Sequence, residues 1–346
     1  MKTEAFVEFL YDYGLFLAKA VTLVAAIVIV LAAIAGIAAK QKQGKGHLEI
    51  TSISDQLKDI TDYARQVILD KASLKKLAKA QKKEQKRDKS DKNNESGRLF
   101  VIDFKGSMDA HEVDRLREEV TAVLCIAEKQ DEVLVKIESG GGVVHGYGLA
   151  AAQLQRIKDK GLKLTVSVDK VAASGGYMMA CVADKLLASQ FAIIGSIGVL
   201  AQLPNFHKLL KKNDIEFEQH TAGEFKRTLT VFGENTDEGR EKFQQELEAV
   251  HVMFKSWVSE NRSSLDIAKV ATGEYWYGSQ ALELGLIDQI GTSDDYIMSV
   301  FPERDIYAVK YAVKKNVAEK LGMSFAQGAE RALMRVVNTL PEWFKR

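Results

Sequence analysis

A serine set between two glycine-rich turns is the first chemistry this chain offers. Ser174 follows an apolar strand-like run, Leu162 to Val168, and is followed at once by Gly175 and Gly176 and then by an apolar helix-like run. Two glycines allow a sharp strand-to-helix turn and let a substrate backbone come close, while the amides opening a helix donate to a developing anion. Upstream, Asp131 to Ile137 reads as a buried strand that runs into Glu138, Ser139, Gly140, Gly141, Gly142 and Val143. Three consecutive glycines at a strand end are costly in chain entropy unless something must approach the backbone there. Downstream, Lys226 closes the stretch Thr221-Ala-Gly-Glu-Phe-Lys, just after a strand-like run from Ile215 to His220. A serine hydroxyl is a weak nucleophile until a neighbouring base takes its proton, and lysine is such a base only when neutral. Burial disfavours an ammonium, by up to about 3–5 pKa units in extreme cases. Phe225, Leu229, Val231 and Phe232 are the neighbours expected to bury this one.

A Ser-His-Asp triad is the natural competitor. Of the six histidines (His47, His111, His145, His207, His220 and His251), His145 follows the glycine loop and His220 ends the strand-like run, yet neither sits in a triad motif. No HExxH metal signature and no GxxxxGK[ST] phosphate loop occurs. Cys125 and Cys181 both lie in apolar runs, match no metal spacing and read as core residues.

Taken in order, the motifs resemble the signal peptide peptidase A group of serine peptidases, peptidase family S49, over roughly Leu99 to Thr292. The family's Ala-Ala-Ser-Gly-Gly-Tyr is matched by Ala172 to Tyr177, its Gly-Ser-Ile-Gly-Val by Gly195 to Val199, and its Ala-Leu-Glu-Leu-Gly-Leu-Ile-Asp by Ala281 to Asp288. Where the family usually has Asn-Ser-Pro-Gly-Gly, this chain has Glu138-Ser139-Gly140-Gly141-Gly142. The resemblance implies Ser174 as nucleophile, Lys226 as general base, Ser196 as a hydroxyl that orients the lysine, and Gly141 with Gly175 as oxyanion amides. It implies no cofactor and no metal. It also implies a ClpP/crotonase-like α/β fold of repeated ββα units, and a homo-oligomeric ring in which neighbours complete each site. The substrates implied are signal peptides or other membrane-associated polypeptides. Two other readings share that fold: a crotonase-like acyl-CoA enzyme, which would need neither Ser174 nor Lys226, and a non-catalytic membrane scaffold, which would show losses at the dyad. Both dyad positions are occupied.

The elements that must position these residues follow from the pattern. Strand-like runs are Leu99 to Phe104, Val133 to Ile137, Leu162 to Val168, Lys185 to Ala188 with Ala192 to Ile194, and Glu216 to His220. Helix-like runs are His111 to Lys129, Val144 to Lys158, Gly176 to Val182, Pro204 to Lys212 and Asp237 to Arg262. Such alternation predicts helices over a largely parallel sheet. The apolar stretch Leu186 to Pro204 reads as buried strand and turn because Gly195, Ser196, Gly198 and Gln202 interrupt it.

The organisation expected is an anchor over residues 1–45, a charged linker over 46–97, a peptidase domain over 98–300 and a C-terminal segment over 301–346 with a helical stripe from Leu321 to Val337. Val21 to Ala39 is 19 residues without a charge, close to the ~20 a helix needs to cross a bilayer. It exceeds the h-region of a cleaved signal peptide, about 7–15 residues, and is preceded by Glu4, Glu8 and Asp12. Lys40, Lys42 and Lys45 after it, against Lys2 and Lys19 before it, would keep the domain in the cytoplasm, whereas the resemblance points to the periplasmic face of a bacterial inner membrane; the expectation taken is periplasmic. Leu74 to Asn93 is rich in lysine and reads as a solvated tether with attraction to anionic lipid headgroups. Its lack of aromatics, with 48 Lys+Arg against 47 Asp+Glu overall, gives no reason to expect nucleic acid as a partner.

Overall fold

The computed structural model describes residues 11, 13–23, 46–76, 79 and 97–313. Residues 13–23 are helical, but most of the apolar run at 21–39 lies outside the described residues, as do most of the lysine-rich segment and the C-terminal stripe. Among the described residues no helix is long and apolar enough to cross a membrane.

Among the described residues ten strands form two sheets. β1 (His47–Ser52), β2 (Leu99–Lys105), β3 (Glu132–Glu138), β4 (Lys163–Val168), β6 (Lys185–Ala188), β9 (Gln289–Ile290) and β10 (Ile306–Ala312) make a seven-stranded sheet in the order β1-β10-β2-β3-β4-β6-β9. From β10 to β9 every neighbouring pair is parallel. Such strands are covered on both faces, which is why β3 reads as a continuous apolar run. β5 (Val171–Ala173), β7 (Ile193–Gly195) and β8 (Tyr275–Tyr277) make a small second sheet. Three times in succession a strand of the large sheet passes into an element of the small one: β3 into Ser139, which bridges Ala172, then β4 into β5, then β6 into β7.

Besides the helical residues 13–23 and 71–76, the helices among the described residues are α1 (Ile53–Ile68), α2 (Val113–Ile126), α3 (Val144–Asp159), α4 (Gly175–Ala180), α5 (His207–Lys212), α6 (Asp237–Asn261), α7 (Ile267–Val270), α8 (Gly278–Glu283) and α9 (Ser293–Val300). The main core joins one face of β2, β3 and β4 to α2, α3 and α4, through residues such as Phe100, Ile102, Val135, Leu116, Leu154 and Met179. On the other face Leu99, Val101, Leu134 and Ile306 meet Ile297 of α9 and, from α1, Ile53 and Leu57. The first part of the expected linker therefore belongs to the sheet: Ser52 caps α1 through the Asp55 amide, and the Ser54 hydroxyl accepts from the Ile306 amide of β10 at 2.9 Å.

Three further expectations change. Residues 215–220 form no strand; they are exposed and irregular, and no described strand pairs with them. The run from Leu186 is core only as far as Ile197, and Val199, Leu200 and Leu203 are exposed. Cys125, on the open side of α2, is exposed, while Cys181 is buried, and burial pushes its thiol up to about 12.

Candidate active site

Ser174 stands where β5 ends and α4 begins, with φ 51° and ψ −120°. A positive φ in a residue carrying a side chain is strained by about 1–3 kcal/mol, and the surroundings hold it. The Ser174 amide donates to the Gly195 carbonyl at 2.8 Å, and one turn later the Met178 amide donates to the Ser174 carbonyl at 3.0 Å. From below, α4 is tied by the Tyr177 hydroxyl to the Leu286 carbonyl and by the Trp257 indole to the Met178 carbonyl. The Leu286 segment is itself fastened by a two-pronged pair, Arg262 Nη2 to Asp288 Oδ1 at 2.7 Å and Nη1 to Oδ2 at 2.9 Å.

The glycine loop lies directly against this turn. The Ser139 amide donates to the Val171 carbonyl and the Ser139 carbonyl accepts from the Ala173 amide, so the end of β3 is zipped to β5. Gly141 has φ 86°, and a methyl group on it would come within 2.6 Å of the Gly175 nitrogen and 2.7 Å of Ser174 Cβ. Only glycine fits that approach. A methyl on Gly175 would in turn lie 2.3 Å from the ring of Tyr147. The structure thus brings Gly141, Ser174 and Gly175 together. Among the described residues the Gly175 amide has no acceptor, an unpaired donor of the kind a helix start leaves. The Gly141 amide donates to Ser139 Oγ at 3.1 Å.

Tyr147 is a residue that the sequence reading passed over. Its hydroxyl donates to the Ser107 carbonyl at 2.8 Å and shares a hydrogen with Ser139 Oγ at 2.5 Å. Burial raises its pKa, so the group stays a phenol. One signal was available: apart from Gln153 the buried face of α3 is otherwise small or aliphatic (Gly146, Ala150, Ala151, Leu154, Ile157), and a lone tyrosine there must find a partner for its hydroxyl.

Lys226 is placed differently. It sits in the exposed segment between Gly198 and Asn235, which folds chiefly on itself: Asn205 Nδ2 donates to the Thr230 and Gly233 carbonyls, and the Phe232 ring lies 6.1 Å from Phe206 and 5.8 Å from Phe217. Phe225 and Phe232 are themselves largely exposed, so the apolar surround expected for the lysine is not assembled. Among the described residues neither the Lys226 ammonium nor the Ser174 or Ser196 hydroxyl makes a side-chain hydrogen bond. Ser196, half-buried at φ 52°, follows the β7 end whose Gly195 carbonyl holds Ser174, and its own amide donates to the Glu274 carbonyl.

Among the described residues neither His145 nor His220 hydrogen-bonds Ser174. His145 is exposed, and so is His220, which pairs with Glu218 at 3.5 Å. Ser107, Asp109, His111 and Glu112 do cluster: Ser107 Oγ and Asp109 Oδ1 face His111 Nδ1 at 3.0 and 2.9 Å, and Glu112 Oε1 faces Nε2 at 3.2 Å. The Ser107 hydroxyl, however, meets two carboxylates at shorter range, Asp109 Oδ1 at 2.6 Å and Glu112 Oε2 at 2.8 Å, and lies just after β2 rather than on the Ser174 turn. The cluster instead holds the turn whose carbonyl receives Tyr147, and the hydroxyl of Ser107, with help from His111, draws the Asp109 carboxyl down to about 2.

A strained serine on a strand-to-helix turn, backed by a glycine loop in a parallel-rich α/β protein, is a frame able to present a hydroxyl to a substrate. Comparison with known proteins makes the class specific. Residues 8–154 match the family "Peptidase family S49 N-terminal" and residues 156–306 match "Peptidase family S49". The chain belongs to peptidase family S49. It is 48% identical over 339 residues to "Probable protease SohB" of Haemophilus influenzae, covering 95% of this chain and 96% of that one. To the protein of the same description from Buchnera aphidicola subsp. Acyrthosiphon pisum it is 47% identical over 327 residues, covering 94% and 97%.

Proposed function

We propose that this SohB-type peptidase is a serine endopeptidase that works with a Ser174/Lys226 dyad. The observation that carries this reading is the convergence of Gly141, Gly175 and the strained Ser174 at one point. Neutral Lys226 takes the Ser174 proton as Oγ attacks the scissile carbonyl, and the amine then returns that proton to the departing amide nitrogen. The Gly175 amide meets the developing oxyanion. The Gly141 amide joins it by exchanging Ser139 Oγ for the substrate oxygen, an exchange realised only as charge builds. Water releases the acyl group by the same route in reverse.

The same reading takes the fold as the ClpP/crotonase type, supported by the threefold passage from the large sheet into the small one. It takes the apolar run at 21–39 as an uncleaved anchor, with the catalytic domain on the periplasmic face and membrane-associated polypeptides such as signal peptides as substrates. It takes the active form as a homo-oligomer, in which a second copy covers the exposed aromatic residues of the Lys226 segment and drives the lysine toward Ser174. A fluorophosphonate probe on the detergent-solubilised protein tests the nucleophile: labelling mapped to Ser174 and lost in Ser174→Ala is expected, and labelling elsewhere or none would sink the reading. Proteolysis of intact spheroplasts tests the topology, since a domain resistant until lysis would place it in the cytoplasm.

A further inference from the structure

Helix α1 carries one apolar stripe of which only the beginning is used. Ile53, Leu57, Ile60, Ala64 and Val67 recur at helical spacing, flanked by Tyr63 and Ile68. Ile53 and Leu57 pack on the second face of the sheet, with Leu99, Val101 and Leu134. Beyond them the stripe is open: Ile60 is 64% exposed, Tyr63 71%, Val67 69% and Ile68 78%. At ~1.5 Å of rise per residue the open part runs along roughly the last half of a helix about 24 Å long. The opposite side carries Asp55, Lys58, Asp59, Asp62 and Gln66, with Lys58 paired to Asp55 and Arg65 to Asp62. An apolar stripe backed by a charged face is the pattern of a helix that lies in a membrane interface.

We infer that the open end of α1 lies in an anionic lipid surface, held there by the basic chain that follows it. Between Asp70 and Lys92 there are ten Lys and Arg against four Asp and Glu, and no aromatic residue. Such a run is drawn to acidic headgroups. It disfavours the two protein occupants available. A second copy laid on the same stripe brings a second basic run beside the first. The chain's own residues 314–346 carry seven Lys and Arg against three Asp and Glu, so they too would bring positive charge to positive charge. This inference rests on the membrane association of the preceding section and adds the surface that makes contact: the domain would be held at the bilayer at two points, the apolar run before β1 and α1 after it.

The test uses the full chain in a Cys125→Ser background, which leaves only the buried Cys181. A nitroxide is attached at Ile60→Cys or Val67→Cys, or, on the opposite face, at Gln66→Cys, and fluorophosphonate labelling of Ser174 checks that each protein is folded. The proteins are reconstituted in phosphatidylcholine vesicles with and without phosphatidylglycerol. Expected is a several-fold loss of nickel-complex collisions and a gain of oxygen collisions at positions 60 and 67 only when phosphatidylglycerol is present, with position 66 water-accessible throughout. Labels at 60 and 67 that stay open to nickel in both vesicles, on protein that floats with them, overturn the inference and leave the anchor standing. Shielding at 60 and 67 in detergent solution overturns it in favour of a protein partner, a second copy if it fades on dilution and residues 314–346 if it does not. Flotation with phosphatidylglycerol vesicles alone, with those labels shielded, keeps the inference and removes the anchor; flotation with neither removes both.

Discussion

The turn that carries Ser174 and the segment that carries Lys226 are built on opposite principles. Around Ser174 the backbone is fixed on every side: β7 below it through Gly195, the glycine loop beside it, Tyr147 under Gly175, and α4 fastened by Tyr177 and Trp257. Around Lys226 the chain makes contacts mainly with itself and leaves Leu200, Leu209, Ile215 and Phe217 exposed with no strand pairing. A single chain thus pre-organises the proposed nucleophile and the proposed oxyanion amides, where a misplacement of about 1 Å can cost ~100-fold in rate. It leaves the proposed base on an exposed surface.

The largest effects break that division outright. Ser174→Ala and Lys226→Ala are each expected to lower peptide turnover by about 10⁴–10⁶-fold, with the double mutant little worse than either, because groups acting as one unit are not additive. Lys226→Arg should fail as well, since a guanidinium does not give up its proton at usable pH. Wild-type turnover in folded Lys226→Ala would detach the exposed segment from catalysis altogether. Ser196→Ala should cost less than either dyad change, because orienting a base is a smaller task than being one.

Next comes the contact between the glycine loop and the proposed nucleophile. Gly141→Ala puts a methyl 2.6 Å from the Gly175 nitrogen at a φ of 86°, so the loop must move away from the turn. Losing one oxyanion donor is worth about 10²–10³ in kcat, with KM changed much less. A KM effect as large as the kcat effect, in steady-state assays of the folded variant, would mean that the loop binds substrate rather than the transition state.

The same contrast explains what was legible in the sequence. Every strand of the buried region announced itself except the short β5, β8 and β9, the edge strand β1 and its neighbour β10, because burial on both faces demands apolar runs such as that of β3. Gly141, Ser174 and Gly175 were legible because close backbone approach admits only certain residue types. The exposed segment was not. Residues 215–220 alternate like a strand, but no described strand offers them a pairing edge. α1 lies inside the stretch expected to be a charged linker; its apolar spacing is plain, but its use of only the first half of that stripe is a matter of length against the sheet. Tyr147 was missed because its role depends on Ser107, forty residues earlier in the chain.

Tyr147→Phe keeps the ring under Gly175 and removes only the hydroxyl, so it asks whether the fixed side of the comparison acts through packing or through hydrogen bonds. Ser139 Oγ would lose one partner and the Ser107 carbonyl its donor, and about 1–3 kcal/mol is typical for a buried polar group left unpaired. The expected result is a fall of about tenfold in kcat, visible as loosened loop geometry, with fluorophosphonate labelling of Ser174 slowed in parallel. Unchanged kcat with a lowered melting temperature would assign the tyrosine to stability alone.

Acid sets the smallest effect, and it falls on the fixed side too. Burial works against the Asp288 carboxylate, but Arg262 and the Leu186 amide outweigh it and hold its pKa below the usual range; the same balance, struck by Arg98, holds Asp131 down. A carboxyl whose folded pKa is depressed contributes stability above its unfolded value, near 4, and that stability is lost as pH falls through the folded value. Asp288→Asn should therefore lower stability at neutral pH by about 1–3 kcal/mol for the partner left behind, toward the low end because the Asp288 side chain is 38% exposed. Urea titrations at descending pH should show wild type and variant converging below about pH 4, since protonation then removes from the wild type what the mutation removed already. A gap that stays constant down to pH 2 would mean that the Arg262 contact matters as shape rather than as charge, and that α4 is held in place by Tyr177 and Trp257 alone.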